Sequence, residues 1–233
     1  MIGAIITAAG SSVRMGGDKK EFRPSGSFDT DGSPLSVLGA AIRPFFDHPH
    51  ISNIVVTIPE GEAPRARSLL PVRFFAKGAK GIIFIAGGAT RRESVFRALE
   101  SLKDTDISKV LIHDGARPWL TPELLDRVIT ALDTHDAVVP VLQITETPKE
   151  LDGEGHIIRH LERARTVLAQ TPQGFVYPAI LDAHREEARL VAKGREDNST
   201  DDAELWGSYC GAVQAIPGIP QNRKITFPAD LPA

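Results

Sequence analysis

Ile2-Gly3-Ala4-Ile5-Ile6-Thr7-Ala8 runs without a break into Ala9-Gly10-Ser11-Ser12-Val13-Arg14-Met15-Gly16-Gly17-Asp18-Lys19-Lys20. The first seven residues are apolar on consecutive rather than alternate positions, the pattern of a strand covered on both faces. The next residues are small and then cationic. In an open α/β sheet, ligands bind beyond the carboxyl ends of the strands, and the loop after the first strand is a favoured place. Small residues there let backbone N–H groups approach phosphate oxygens, and Arg14 with Lys19 or Lys20 adds positive charge. Neither the dinucleotide fingerprint Gly-x-Gly-x-x-Gly nor the P-loop ending Gly-Lys-Ser/Thr is present. The bland reading is a turn with solvated cations; a buried strand delivering small residues and three cations favours a triphosphate or another polyanion.

Further apolar runs at 53–58, 81–86, 109–113 and 136–141 repeat the strand pattern, and amphipathic stretches lie between them. Val95, Ala98, Leu99 and Leu102 form one stripe at helical spacing; Leu124, Leu125, Val128, Ile129 and Leu132 form another. Thr121-Pro122-Glu123 is a helix start, with Thr as cap, Pro in the first position and Glu at the positive end of the dipole. Strand and helix in alternation predict an α/β fold, a doubly wound, mostly parallel sheet with right-handed crossovers. Two segments break the rhythm. Residues 23–34 read as a loop of turn formers and polar groups. Residues 144–160 read as two extended arms around the turn-forming 152–155. Such an arm cannot bury its own faces and predicts packing on a second subunit. One domain over 1–233 with a protruding arm at about 144–160 is the expected organisation.

The 233 residues carry 27 Lys plus Arg against 30 Asp plus Glu, a formal net charge of −3. That balance argues against nucleic acid or an anionic membrane as partner, so any affinity for phosphate has to be local. Cys210 is the only cysteine and has no internal partner, and no Cys cluster could hold zinc. Apolar runs fall far short of the roughly 20 residues of a membrane span, and no basic start with a cleavable apolar stretch is visible. The expectation is a soluble, cytoplasmic protein. The seven His show no His-Glu-x-x-His spacing, and no Gly-x-Ser-x-Gly surrounds Ser11 or Ser12, so a zinc enzyme and a serine hydrolase are disfavoured.

Three more groups of residues can carry chemistry. Gly87-Gly88-Ala89-Thr90-Arg91-Arg92-Glu93-Ser94 follows a strand and opens a helix, so its amides and Arg91 can face a ligand, although a surface Arg at a helix start is more often solvated. Asp114, in His113-Asp114-Gly115-Ala116-Arg117-Pro118, sits at a strand's carboxyl end. Two readings stay open there: a Mg²⁺ carboxylate, since that ion takes one or two carboxylates plus phosphate oxygens, or a loop Asp paired with Arg117. Thr147, Arg163, Thr171-Pro172-Gln173 and Thr200-Asp201-Asp202 supply hydroxyls, a guanidinium and carboxylates, and an Arg fork among hydroxyls suits a phosphate monoester. Lys224, in Asn222-Arg223-Lys224-Ile225-Thr226, lies in a short extended segment and can point into a cleft.

Taken in order, these motifs resemble the 2-C-methyl-D-erythritol 4-phosphate cytidylyltransferases: Ala8-Ala9-Gly10 through Arg14-Met15-Gly16 and Lys20-Glu21-Phe22, then Gly87-Gly88 with Arg91 and Ser94, then His113 to Pro118, Thr171-Pro172-Gln173, Thr200-Asp201-Asp202-Ala203 and Asn222 to Thr226. Each motif alone is unspecific. Six in sequence over residues 2–231 are not. The resemblance implies a Rossmann-like fold, a homodimer built partly through the arm, and transfer of CMP from CTP to methylerythritol phosphate with release of pyrophosphate in non-mevalonate isoprenoid synthesis. By matching positions, Arg14, Lys20 and Lys224 would be the catalytic cations. Ala8, Ala9, Gly10, Gly87, Arg91, Ser94 and Asp114 would bind nucleotide, and Asp114 would also hold Mg²⁺. Thr147, Arg163, Thr171 and Thr200 would hold the acceptor. Where the family commonly has Pro-Lys-Gln this chain has Lys19-Lys20-Glu21, and the neighbouring aromatic Phe22 selects Lys20. Two other readings stand beside this one: a ribitol-5-phosphate cytidylyltransferase, and a non-catalytic nucleotide-binding module on the same fold.

Overall fold

Runs that are apolar at every position become the middle strands of one sheet, because each needs cover on both faces. The computed structural model describes residues 1–12, 15–16, 19–197 and 199–232. In chain order the elements are β1 (Ile2–Thr7), β2 (Pro24–Phe28), β3 (Pro34–Ser36), α1 (Val37–Asp47), β4 (Ile51–Ile58), α2 (Ala63–Ser68), β5 (Gly81–Ala86), α3 (Arg91–Ser101), β6 (Lys109–Asp114), α4 (Pro122–Ala131), β7 (Ala137–Gln143), β8 (Lys149–Leu151), β9 (Ile157–His160), β10 (Val167–Ala169), β11 (Gln173–Val176), α5 (Tyr177–Val191), α6 (Asp202–Tyr209) and β12 (Gln214–Pro217). The main sheet has the order β10-β7-β11-β6-β1-β4-β5, with β12 on β7. β5, β4, β1, β6, β7 and β12 run one way, and β10 and β11 run against them.

Alternate residues of the strands feed two cores. Ile2, Ala4 and Ile6 of β1 join Leu38, Ile42 and Phe45 of α1 and Leu124, Leu125 and Val128 of α4 on one face. Ile5 joins Val95, Ala98 and Leu99 of α3, Ile180 and Leu181 of α5, and Trp206 of α6 on the other. The expected helix start is formed: Thr121 caps α4 by accepting from the Leu124 amide, with Pro122 in the first turn.

Two local expectations need correcting. Residues 23–34 are not simply a loop: β2 and β3 pair antiparallel, with the Asp29 amide donating to the Ser33 carbonyl at 2.9 Å. The turn formers make the turn, and tertiary anchors that composition does not reveal make the strands. The Arg73 guanidinium donates to both carboxylate oxygens of Asp29 at 2.6 Å, and the buried Ser25 hydroxyl donates to the Leu35 carbonyl at 2.8 Å. Residues 222–226 form no strand; the Ile225 amide donating to the Ala116 carbonyl, 2.9 Å away, ties this irregular segment to the loop after β6. The arm is a hairpin of β8 and β9, its turn held by Asp152, whose carboxylate accepts from the Glu154 and His156 amides.

Candidate active site

The chain moves from β1 outward through β4 to β5 and then returns to place β6 on the other side of β1. The order of strands reverses between β1 and β6, which is where an open α/β sheet offers a crevice. Thr7 and Asp114, the last residues of those two strands, lie opposite each other, with the Thr7 hydroxyl 3.5 Å from Asp114 Oδ1. Backbone bonds continue one residue beyond the strands and fix where each loop leaves. Ala8 N donates to Thr57 O, Gly87 N to Ile58 O and Gly115 N to Thr7 O, at 2.8–2.9 Å. Above them opens a cleft of about 560 Å³, walled by the loop after β1, the turn into α3, the loop after β6 and the segment that carries Lys224.

Asp114 is the centre of the cleft's charge. Its carboxylate is buried and faces three cations: Lys224 Nζ at 2.9 Å, Arg117 Nε at 3.4 Å and Arg91 Nε at 3.6 Å. Burial works to raise this carboxyl, but Lys224, Arg91 and Arg117 together outweigh it and hold the group well below the usual carboxylate range. Of the two readings of Asp114, the pairing with Arg117 is formed, and the same carboxylate also lines the cleft. Behind it stands a neutral relay. The Asp114 amide donates to the Thr171 hydroxyl at 3.1 Å, which lies 2.9 Å from His113 Nδ1, while His113 Nε2 lies 3.1 Å from the Arg117 carbonyl. A carbonyl only accepts, so Nε2 carries the proton and Nδ1 accepts from Thr171. Burial pushes the imidazole down to about 4, which keeps it in this form.

The two lysines divide their work. Lys19 donates to the Gly10 carbonyl and pairs with Glu21 at 3.6 Å, closing the ends of the loop after β1. Burial pushes its amine down, against the pull of Glu21. Lys20 lines the cleft, and its amine donates at 2.8 Å to the carbonyl of Ile225, the residue after Lys224. Arg14 lies outside the described residues.

Ala9, Gly10, Arg91, Ser94, Asp114, Lys20 and Lys224 therefore line one cleft. Ala8 and Gly87 lie just beneath it: a Cβ on Gly87 would sit 2.2 Å from the Ala9 Cβ, so a hydrogen at this position lets the turn into α3 approach the loop after β1. Ser94 fastens that turn by accepting from the Gly88 amide at 3.0 Å and donating to the Thr90 carbonyl at 2.9 Å. Thr171 sits behind Asp114 with its hydroxyl engaged as above. Thr200 is exposed, and its amide and hydroxyl donate to Glu204. Thr147 and Arg163 are exposed at the base of the arm and are not among the residues lining the cleft, with Arg163 donating to the Thr145 carbonyl at 3.1 Å. The sequence reading placed Asp202 and Asn222 in its motifs but not their pairings: the buried Asp202 carboxylate accepts from Arg91 at 2.7 Å, and Asn222 donates to the Thr171 carbonyl at 2.6 Å while its backbone carbonyl accepts from Arg117 at 2.7 Å. No motif signals these pairings, since the partners lie 51 to 111 residues apart.

Comparison with known proteins gives the same picture. The family model described as IspD, 2-C-methyl-D-erythritol 4-phosphate cytidylyltransferase, matches residues 2–233. A bifunctional enzyme IspD/IspF of Rhodopseudomonas palustris strain HaA2 is 38% identical over 98% of this chain and 53% of its own length. One from Rhizobium leguminosarum bv. trifolii is also 38% identical, over 98% of this chain and 54% of its own. The chain thus spans about half the length of these curated relatives. Among solved structures, 4-diphosphocytidyl-2C-methyl-D-erythritol synthase from Anaerococcus prevotii superposes with a TM-score of 0.79 at 26% identity, over 99% of this chain and 92% of that one. The 2-C-methyl-D-erythritol 4-phosphate cytidylyltransferase of Thermus thermophilus gives 0.72 at 32% identity, over 97% and 93%.

Proposed function

The chain belongs to the 2-C-methyl-D-erythritol 4-phosphate cytidylyltransferase family, and on that premise we propose that it transfers the cytidylyl group of CTP to methylerythritol phosphate. A phosphate oxygen of the acceptor attacks the α-phosphorus in line; the new P–O bond forms as the bond to pyrophosphate breaks. Such chemistry asks a protein mainly for alignment and for cations around the phosphoryl oxygens. The observation that carries the reading is the convergence of Lys20, Lys224 and Asp114 on one cleft, from residues far apart in the chain. Lys224 stabilises charge developing at the α-phosphate. Lys20, with Arg14 by the family match, holds the triphosphate. The backbone around Ala9 and Gly10, set above Ala8 and Gly87 and with Arg91 and Ser94 nearby, reads the cytosine and triphosphate.

Mg²⁺ fits the donor set. No cluster of three His, Cys, Asp or Glu is found among the described residues. Asp114 offers the ion one ionised carboxylate, and the phosphates supply the rest. When bound, Mg²⁺ neutralises charge on the phosphate oxygens. Lys224, 2.9 Å from Asp114 and lining the same cleft, is placed to contact the α-phosphate.

The acceptor pocket is shared between subunits. Thr147 and Arg163 do not line their own chain's cleft, and the arm beside them exposes Leu151, Ile157 and Ile158, each more than half accessible. A homodimer in which each arm covers its partner's cleft brings both features to use. No helix among the described residues is long and apolar enough to cross a membrane, and a cytoplasmic enzyme is the setting this function calls for. The test is pyrophosphate release from CTP and Mg²⁺ with each acceptor. Turnover with methylerythritol phosphate supports the reading, turnover with ribitol 5-phosphate alone replaces it, and no turnover with either leaves the nucleotide-binding module.

A further inference from the structure

Behind Arg91 a buried chain of polar groups runs away from the cleft. Arg91 Nη1 donates to Asp202 Oδ2 at 2.7 Å, and His184 Nε2 lies 3.2 Å from Asp202 Oδ1. Asp202 and His184 are 1% and 0% exposed. His184 projects from α5, and its ring lies parallel to that of Phe96 on α3, the helix that Arg91 opens, with centroids 6.3 Å apart. His184 Nδ1 is buried without a hydrogen-bond partner among the described residues. A carboxylate oxygen accepts, so His184 Nε2 carries the proton donated to Asp202.

The position of Asp202 is rigid. It opens α6, whose cap Asp201 accepts from the Glu204 amide at 2.9 Å. Gln173 clamps the same turn by donating to Asp201 at 2.8 Å and accepting from the Ala203 amide at 3.1 Å. A buried carboxylate needs partners on both oxygens. His184 supplies one partner, which leaves Arg91 to satisfy only Oδ2. The rest of the guanidinium is then directed to Asp114 and the cleft, with Nε 3.6 Å from Asp114 Oδ1.

We infer that His184, acting through Asp202, is a positioning residue for Arg91 and so helps set how tightly the cleft holds a nucleoside triphosphate. Without the His184 donor, Oδ1 is left bare in the interior. The guanidinium is a fork that can serve both oxygens of one carboxylate, so Arg91 turns onto Asp202 bidentately and leaves Asp114. The cleft then loses a cation without any change in its lining residues.

The inference rests on the reading of the cleft as a CTP site, and a double-mutant cycle on the whole protein separates the two. Calorimetric binding of Mg²⁺–CTP is measured for wild type, His184→Leu, Arg91→Met and the double variant. His184→Leu weakens binding about tenfold, the scale of one buried hydrogen bond to a charged group. His184→Gln, which keeps an N–H donor, returns it to within about threefold of wild type. In the Arg91→Met background the same His184→Leu change has no further effect, whereas a merely structural role would weaken binding equally in both backgrounds. Equal effects, or no effect of His184→Leu on wild type, overturn the inference while leaving the CTP site standing. Failure of wild type to bind CTP overturns both. Should His184→Leu not fold, Asp202→Asn takes its place in the cycle, with the same coupling expected.

Discussion

Asp114 shows how a residue becomes useful through what opposes it. Alone and buried, a carboxylate would be neutralised; with Lys224, Arg117 and Arg91 around it, it stays ionised and ready for a cation. Lys224 is the cation with most to do in the proposed transfer, because it is near the carboxylate and open to the cleft. Lys224→Ala is expected to lower kcat about 10²-fold or more, the usual effect of removing a preorganised charge contact to a transition state; Arg14→Ala should do the same on the family match. Steady-state rates with CTP and the acceptor check both, and near-normal turnover in the pair would remove this mechanism. His113 gives a separate pH signature. Its folded value is about 4 against an ordinary value near 6.5, so between these limits the unfolded chain binds the extra proton and the folded one does not. Stability is therefore full above pH 6.5 and falls as the pH drops towards 4, by about 3 kcal/mol in all. Asp114 and Asp202 are held below the usual carboxylate range, so their contributions are lost only at lower pH still. Denaturant midpoints across this window test the term. His113→Gln should be less stable at neutral pH but flatter between pH 6.5 and 4.

The central strands and the helices α3 and α4 were legible because uniform apolarity and 3.6-residue stripes are local signals. What stayed hidden has physical reasons. In α1, Pro44 sits inside the helix, where proline is normally a breaker, so the sequence did not announce a helix there although its apolar residues gather on one face. β10 is three exposed residues and β12 ends in Pro217; their strand character comes from pairing with β7 rather than from their own pattern. In the cleft, the cations and Asp114 were legible as loop residues following strands, whereas the pairs Arg91–Asp202 and Arg117–Asn222 exist only once the fold has brought them together. Gly87 stands between these cases. Its place after β5 was readable, but the need for glycine comes from Ala9 across the cleft floor. Gly87→Ala would put a methyl 2.2 Å from the Ala9 Cβ and 2.9 Å from Ser94 Oγ. Forcing the turn into α3 away should destabilise by about 1–3 kcal/mol, as overpacking does, and should raise KM for CTP. Thermal melts and initial rates measure the two effects. An unchanged KM would mean that the turn does not help shape the nucleotide pocket.

At the scale of the molecule, two observations are satisfied together by a second copy. The arm carries Leu151, Ile157 and Ile158 into solvent, and β10 beside it exposes Leu168. Thr147 and Arg163, which the resemblance assigns to the acceptor, are exposed and are not among the residues that line their own chain's cleft. In the proposed two-fold dimer the apolar faces would be covered and each arm would reach the other's cleft, because an isologous interface uses the same patch twice. Complementation tests this arrangement directly. Lys224→Ala inactivates a cleft but leaves its arm intact, and Arg163→Ala does the reverse. In a mixed dimer, one active site carries both lesions and the other carries neither. Equal amounts of the two variants, unfolded and refolded together, give half mixed dimers with one working site in two, so roughly a quarter of wild-type activity returns. Each variant refolded alone stays near its own low rate. Recovery should vanish when Ile157→Asp and Ile158→Asp are added to both chains, because a charge placed on each of these apolar positions opposes burial against a partner, and sedimentation should then show monomers. Absence of recovery between refolded variants that do form dimers would mean that each chain completes its own acceptor site.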